Sequence, residues 1–185
     1  MKNKKILVGI TGGVAAYKTC SLVNMFLKEG AGVRVIMTEA ATKFITPLTF
    51  QALTNHAVCT DMWQIMNKEE VEHISLAKWA DIVIISPATA NTIGKIAHGI
   101  ADNLLTTVIM AAPKDTPVLI VPAMNTNMWE NDFVQKNVNT LKRNKKYIFM
   151  DPRKGILACR DEGVGKIADN KGILEKTVEI LSKKK

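Results

Sequence analysis

Five short runs of apolar, mostly β-branched residues recur along the chain. They are KILVGI at 5–10, VRVIMT at 33–38, DIVIIS at 81–86, PVLIV at 117–121 and KYIFM at 146–150. Strands that are apolar without alternation are buried on both faces, which is typical of a parallel sheet covered by helices. The runs therefore predict five strands of one parallel sheet.

Stretches with helical spacing lie between and after these strands. The first, AAYKTCSLVNMFLKEG, ends at Gly30, a common helix stop. ISLAKWA, NTIGKIAHG and NLLTTVIMAA follow, and the last segment repeats apolar residues at Ile173, Leu174, Val178 and Leu181. The alternation predicts an α/β fold with a doubly wound parallel sheet, in a Rossmann-like three-layer αβα arrangement.

The composition is that of an ordinary globular domain. The chain has 185 residues, of which 47% are hydrophobic and 23% charged, and no apolar run reaches membrane-spanning length. The start, MKNKKILVGI, is basic and then apolar like a signal peptide, but it lacks a cleavage site and is better interpreted as a first strand. Cys20, Cys59 and Cys159 form no CxxC pair. This pattern argues against structural zinc and a disulfide framework, and favours a reducing, cytoplasmic compartment.

The formal net charge of +8 comes largely from three basic runs: KNKK near the start, KRNKK at 142–146 and KKK at the end. Such runs are usually solvated surface. Aromatic residues make up only 5% of the chain and are not interleaved with a basic stripe, which disfavours nucleic acid as a partner. Anionic small ligands are compatible with the charge.

Ligands of doubly wound sheets bind outside the carboxyl ends of the strands. Each predicted strand is followed there by small or polar residues, in GITGGVAAYK (9–18), Thr38-Glu39, SPATANT (86–92), PAMNTNMW (122–129) and DPRKGILACRDEGVGK (151–166). Behind Gly12 and Gly13, a helix N-terminus would offer N–H groups to a phosphate. The five loops predict one composite site at one edge of the sheet.

Two interpretations of these loops stay open on the residues alone. The first loop is not GxGxxG, although Glu39 could contact a ribose and so suggest a nicotinamide cofactor. In SPATANT, Thr89 and Asn91 offer a hydroxyl and an amide that suit a phosphate or a heterocycle edge. Either residue could equally well cap a helix N-terminus.

Four motifs occur together in the order HISLAKWAD, SPATAN, PAMNTNMW and LACRDEG. From about Lys5 to Asp169 the chain resembles the flavin-dependent cysteine decarboxylases, most closely the phosphopantothenoylcysteine decarboxylase branch of coenzyme A biosynthesis. PAMNTNMW with a downstream ACxDEG is the specific part of the match. The resemblance implies a carboxy-lyase that uses FMN to convert 4′-phospho-N-pantothenoylcysteine into 4′-phosphopantetheine. It further implies one FMN-binding decarboxylase domain over residues 1–185, without the fused ligase domain common in bacteria.

The resemblance also implies roles for particular residues. His73 corresponds to the active-site base, Asn125 to the residue that binds the substrate carboxylate, and Cys159 to the proton donor that completes reduction. The residues expected to hold FMN are Gly12, Gly13, Val14, Thr38, Ser86, Thr89, Ala90, Asn91, Thr92 and Ala123. Those expected to contact the substrate are Asn125, Met128, Ile156, Leu157 and Ala158. No metal is implied.

The same residues also have other interpretations. A lone histidine at a helix start is more often structural, and an unpaired cysteine is often a small buried apolar side chain. Arg160 departs from the family pattern, because a glycine is usual there, and this puts the local backbone of the segment around Cys159 in doubt. Family members assemble as trimers or multiples of trimers, including dodecamers, with flavin sites at subunit interfaces. The alternative functions are a peptidyl-cysteine decarboxylase of lantibiotic type and a non-enzymatic flavin-binding regulatory subunit.

Overall fold

A computed structural model describes residues 1–63, 72–158 and 160–183 of the chain. Its central sheet contains five parallel strands in the order β2-β1-β3-β4-β5. The strands are β1 (Lys5–Ile10), β2 (Gly32–Met37), β3 (Ile82–Ala88), β4 (Val118–Pro122) and β5 (Tyr147–Phe149). All five lie within two residues of the predicted runs, so the predicted parallel sheet is confirmed. This strand order reverses direction between β1 and β3, where doubly wound folds bind their ligands.

Nine helices are described in these parts of the chain. They are α1 (Ala16–Lys28), α2 (Glu39–Thr42), α3 (Pro47–Thr54), α4 (Glu72–Trp79), α5 (Ala90–Ala97), α6 (Leu104–Ala111), α7 (Thr126–Glu130), α8 (Asp132–Lys142) and α9 (Asn170–Lys183). The apolar pattern had not predicted α2, α3, α7 or α8. None of the described helices is both long and apolar enough to cross a membrane.

The two faces of the sheet carry separate apolar layers. Side chains of β1 alternate between them: Ile6 and Val8 pack with α1 on one face, and Leu7 packs with α4 and α6 on the other. All three are fully buried. Burial on both faces explains why the strands are apolar throughout, and it confirms the three-layer αβα arrangement.

The last helix packs against α1 through a face that differs slightly from the predicted one. Ile173 and Leu181 are buried as expected, but Val178 is 44% exposed and Thr177 is fully buried in its place. The Thr177 hydroxyl donates a hydrogen bond to the carbonyl of Ile173, at 2.7 Å, within the helix. A threonine satisfied in this way can occupy an apolar face at little cost, and a hydrophobicity pattern does not detect it.

An antiparallel hairpin lies outside the central sheet. Its strands are β6 (Arg153–Ile156) and β7 (Glu162–Lys166), and they are called the flap hairpin below. The strands were not predicted because most of their side chains are polar or glycine and exposed.

Candidate active site at the carboxyl edge of the sheet

A cavity of about 610 Å³ lies at the carboxyl edge of the sheet. It is formed by the β1–α1 loop, the β3–α5 turn, the β4–α7 loop and the flap hairpin, and its volume is usual for a small-molecule site. The structure brings ten of the predicted site residues together in its wall: Gly12, Gly13, Val14, Thr89, Ala123, Asn125, Met128, Ile156, Leu157 and Ala158. A second cavity, of about 440 Å³, is lined by none of the predicted residues.

Thr11 ties the first loop to the third. Its hydroxyl donates to the carbonyl of Pro87 at 2.7 Å and accepts from the N–H of Thr89 at 3.0 Å. Sequence reasoning missed this residue, because a threonine between Ile10 and Gly12 has no pattern of its own. The two loops on either side of the β1/β3 switch point are therefore held in register by one buried side chain.

The two glycines of the first loop serve different purposes. A Cβ atom on Gly12 would collide with Ala40, so this glycine allows the first loop to pack closely against helix α2. A Cβ on Gly13 would lie 3.9 Å from its nearest neighbour, the Thr89 methyl, with ordinary room around it. Gly13 therefore exposes its backbone to the cavity and not to a packed neighbour.

Helix α1 begins beside Gly13 without a side-chain cap. Its N-cap residue is Ala15, whereas Thr38 and Thr89 cap α2 and α5 with their hydroxyls. The first N–H groups of a helix need partners outside the helix, and the helix dipole favours a negative charge there. The end of α1 in the cavity therefore has the donor chemistry of a phosphate site.

In the SPATANT turn, Thr89 both caps a helix and lines the cavity. Its hydroxyl accepts from the N–H of Thr92 at 3.4 Å, so the capping interpretation of this residue is confirmed, while its place in the cavity wall leaves the ligand contact a prediction. Ala90 is half-buried and Asn91 exposed, and neither lines the cavity. Ser86 and Thr92 are buried beneath it, and the Ser86 hydroxyl has no hydrogen-bond partner among the described residues.

Thr38 lies apart from the cavity. It is the N-cap of α2, where its hydroxyl accepts from the N–H of Ala41 at 3.3 Å, and it is not among the lining residues. The structure therefore gives Thr38 a capping role outside the cavity wall, although its N–H donates to the carbonyl of Ile10 at 3.0 Å, at the start of the glycine loop.

Asn125 is oriented by the helix that it begins. As N-cap of α7, its Oδ1 accepts from the backbone N–H of Asn127 at 2.8 Å. Because the oxygen is engaged in this way, the amide nitrogen is the end of the side chain suited to donating to a ligand. Asn125 therefore caps a helix and also lines the cavity.

The flap hairpin packs directly on the loop that carries Asn125. The N–H of Met124 donates to the carbonyl of Gly165 at 3.1 Å. A Cβ on Gly165 would collide with the Met124 carbonyl oxygen, and one on Gly163 would collide with the Thr126 hydroxyl. Residues two apart in a strand share a face, so Gly163 and Gly165 give β7 a bare face against this loop. The GxG spacing at 163–165 indicates a bare strand face, but not which neighbour packs on it.

His73 does not join the other predicted site residues in the cavity. His73 is half-buried in the first turn of α4, which packs on α6, and it lines neither cavity. Cys159 lies outside the described residues. Of the other cysteines, Cys59 is buried, and burial raises the pKa of the Cys20 thiol, as expected for packing residues.

Arg160 adopts a left-handed backbone conformation, which glycine favours most. Its φ is +69°, in the left-handed region. Its N–H donates to the carbonyl of Leu157, and the N–H of Leu157 donates to the carbonyl of Asp161, both at 2.9 Å. The turn therefore accommodates an arginine, at a cost of about 1–2 kcal/mol for the left-handed backbone.

Comparison with known proteins agrees with this geometry. The model of the family described as Flavoprotein matches residues 1–182. A probable phosphopantothenoylcysteine decarboxylase of Streptococcus mutans is 42% identical over 178 residues, which are 96% of this chain and 99% of that protein. The coenzyme A biosynthesis bifunctional protein CoaBC of Bacillus subtilis is 44% identical over 175 residues, 95% of this chain.

Solved structures share the fold. A cysteine-to-serine mutant of a PPC decarboxylase, complexed with pantothenoylaminoethenethiol, superposes with a TM-score of 0.85 at 34% identity, covering 98% of this chain and 100% of that one. The FMN binding protein AtHal3 superposes with a TM-score of 0.82 at 35% identity, covering 100% of this chain and 99% of that one. The chain spans only 42% and 44% of the bifunctional proteins of Bacillus subtilis and Borreliella burgdorferi.

Proposed function

This chain belongs to the flavoprotein family, and we propose that it is an FMN-dependent carboxy-lyase that converts 4′-phospho-N-pantothenoylcysteine into 4′-phosphopantetheine in coenzyme A biosynthesis. The observation that carries the proposal is the cavity in which Asn125 meets the glycine loop, Thr89 and the flap hairpin. The relative from Streptococcus mutans, named a probable phosphopantothenoylcysteine decarboxylase, supports it because the two chains match over nearly their whole lengths.

The residues present fit FMN. The uncapped start of α1 beside Gly13 and Val14 has N–H donors for the FMN phosphate, and the apolar wall that includes Ala123 and Met128 suits a flat aromatic ring system. Thr89 would supply a hydroxyl between the phosphate-binding start of α1 and the apolar wall. When bound, the flavin would accept a hydride and later return it, so that the overall reaction needs no external oxidant.

The chemistry explains why a cysteine substrate requires such a cofactor. A cysteinyl carboxylate cannot simply lose CO₂, because the electron pair left on carbon has no acceptor. Oxidation of the CH₂–SH group to a thioaldehyde places a C=S bond β to the carboxylate. The C–C bond electrons then move onto sulfur as CO₂ leaves, which gives an ene-thiol. Addition of the returned hydride and one proton to its C=C bond gives the aminoethanethiol product.

Asn125 is proposed to bind the carboxylate that is lost. Its Oδ1 is held by the N–H of Asn127 at 2.8 Å, so the NH₂ group is the donor that a carboxylate requires. A neutral amide binds the carboxylate less tightly than a cation would, and it therefore opposes the departure of CO₂ less. Ile156, Leu157 and Ala158 would cover the substrate from the flap side.

Cys159 and His73 are proposed as the residues that move protons. Cys159 lies one residue beyond Ala158 of the cavity wall, and its thiol would donate the proton that accompanies hydride return. His73 would help to form the substrate thiolate. It lies outside the cavity of its own chain, so we propose that a neighbouring copy supplies it, in a trimer or dodecamer with sites at subunit interfaces.

We also propose how the chain is organised. Residues 1–185 would act as a single FMN-binding decarboxylase domain in the cytoplasm, and copies of the chain would contact one another. Phe44, Leu48 and Trp63 are large apolar side chains that are 53%, 69% and 81% exposed, which suits contacts between copies.

The proposal is tested with the purified chain and two substrates. We expect a yellow protein with one FMN per chain at saturation, which releases CO₂ from phosphopantothenoylcysteine and forms 4′-phosphopantetheine. A peptide ending in cysteine should react far more slowly. A colourless protein that cannot be reconstituted with FMN would refute the cofactor. Faster turnover of the peptide would favour the peptidyl-cysteine alternative, and a yellow protein inactive on both would favour a regulatory subunit.

The role of Cys159 has a test of its own. Cys159→Ser should still oxidise the substrate and release CO₂, because only the last proton transfer is impaired. A hydroxyl is several pKa units too weak an acid to replace the thiol. Single-turnover mass spectrometry should detect an ene-thiol two hydrogens lighter than the product. Normal product at the wild-type rate would contradict this role.

A further inference from the structure

Two lysines line the cavity on which the proposed function rests. Lys18 lies in the first turn of α1, and Lys166 is the last residue of β7 in the flap hairpin. The other lining residues are apolar or neutral, and none is an aspartate or glutamate. A mainly apolar cavity with two cations and no acid has a positive potential, which favours an anionic ligand.

A hydrogen bond connects the two segments that carry these lysines. Four residues after Lys166, Asn170 begins α9, and its side-chain amide donates to the backbone carbonyl of Lys18 at 3.0 Å. The connection from β7 to α9 therefore passes directly beside the first turn of α1. Lys166 also extends across the hairpin, since a Cβ on Gly155 would lie 3.5 Å from its Nζ.

Neighbouring cations differ from these two because they are paired. Arg153 contacts Asp169 at 3.0 Å, and Lys154 contacts Glu162 at 3.8 Å. The second oxygen of Asp169 accepts from the N–H of Gly172 at 2.7 Å, so this acid already has two partners. Within residues 1–63, 72–158 and 160–183, no carboxylate forms an ion pair with Lys18 or Lys166.

We propose that Lys18 and Lys166 form the subsite that recognises the phosphate monoester of the substrate. The subsite would make the cavity select phosphorylated pantothenoylcysteine over the same molecule without phosphate. This inference rests on the proposed function and adds to it the residues that determine substrate class. Ammonium groups suit the task because they bind phosphate as point charges without requiring one fixed orientation.

The two lysines could instead bind the FMN phosphate, and the following experiment distinguishes binding of the substrate phosphate from binding of the FMN phosphate. Lys18→Gln, Lys166→Gln and the double variant are assayed with phosphorylated and unphosphorylated pantothenoylcysteine, and FMN affinity is measured on each apoprotein. Each single substitution should lower the ratio of the two kcat/KM values by about tenfold, since each removes a charge-assisted hydrogen bond. The kcat/KM for the unphosphorylated substrate and the affinity for FMN should be nearly unaffected. Lys154→Gln, on the same hairpin but paired with Glu162, is the matched control and should keep the wild-type ratio.

A binding measurement makes the result independent of turnover. Calorimetry with 4′-phosphopantothenate and pantothenate, which contain no cysteine to decarboxylate, should give the same phosphate preference in the wild type and its loss in the double variant. An unchanged preference in the double variant would overturn the proposal, and so would weaker FMN binding without a change in preference. A wild type that binds the phosphorylated probe selectively but decarboxylates nothing would refute the proposed reaction and support the subsite.

Discussion

The central sheet and the flap hairpin are held in place by different forces. In the sheet, β1 contributes Ile6, Leu7 and Val8, all fully buried between two helical layers. In the flap hairpin, Ile156 is 70% exposed, and the strands are held by backbone contacts at two glycines and by surface ion pairs. Surface ion pairs contribute about 0–1 kcal/mol each, far less than buried apolar side chains.

Because of this difference, we expect the sheet to determine stability and the hairpin to affect catalysis. The sheet determines where the loops of the β1/β3 switch point lie, and the hairpin covers those loops with few buried contacts of its own. Regions with little buried apolar surface open at lower free energy than the core. We therefore expect substitutions in the sheet to unfold the chain and substitutions at the hairpin contact to change catalysis in a chain that stays folded.

The largest effect is expected in the sheet layer. Phe26, fully buried between α1 and the sheet, is among the largest buried side chains. Phe26→Ala should lower the free energy of unfolding by about 3–5 kcal/mol, which is roughly 10 °C in Tm for a chain of this size. Chemical denaturation measures it. Ile156→Ala, in the flap hairpin, should change the free energy of unfolding by less than about 0.5 kcal/mol. Equal losses for the two variants would show that the flap hairpin contributes as much to stability as the sheet layer does.

The second effect is expected at the loop that the hairpin covers. Asn125→Asp keeps the side-chain shape and the helix cap, because aspartate is also a good N-cap. It places a negative charge against the substrate carboxylate, a repulsion of a few kcal/mol in a desolvated site. Activity should fall by about 10²–10³-fold while FMN stays bound and Tm changes little.

Asn127→Asp is the matched control for this substitution. It introduces the same charge two residues away, on an exposed side chain that does not line the cavity. It should keep activity within about threefold of wild type, since exposed charges are strongly screened. Near-normal turnover of Asn125→Asp, or equal losses in both variants, would mean that Asn125 does not face the carboxylate.

The sheet was predictable from the sequence because burial on both faces leaves an unbroken apolar run. Loops that follow such strands could be assigned to one edge by topology alone, which is why Gly12, Thr89 and Asn125 were expected together. The close contacts of Gly163 and Gly165 were not predictable in detail, because a glycine does not indicate which neighbour occupies its space. Thr11 could not be predicted either, since its role is a hydrogen bond between residues 76 apart in the chain.

The third effect tests the close contact between hairpin and loop. Gly165 has φ +154°, and a Cβ there would collide with the carbonyl oxygen of Met124. Gly165→Ala should push β7 away from the Asn125 loop. We expect this to destabilise the substrate-bound enzyme, in which the hairpin covers the loop, by about 1–3 kcal/mol. We expect kcat/KM to drop about 10- to 100-fold while Tm stays within a few degrees.

Gly94→Ala is the control for this variant. Gly94 lies inside α5, where a Cβ would be 3.4 Å from the Asn137 amide nitrogen, and alanine favours the helix. Its activity should match wild type. A Gly165→Ala enzyme with normal kcat/KM would show that the hairpin does not position Asn125.

The smallest effect is expected at the turn of the hairpin, where Arg160 has φ +69°. Arg160→Gly should remove the cost of the left-handed backbone, about 1 kcal/mol after the greater entropy of an unfolded glycine is subtracted. Because the hairpin opens locally, the gain should appear as slower hydrogen exchange of the Leu157 and Arg160-position amides, with little change in global unfolding. Arg153→Gly, in a strand and paired with Asp169, should instead speed exchange across the hairpin. If Arg160→Gly also sped exchange, the arginine side chain would be stabilising the turn by a contact that outweighs its backbone strain.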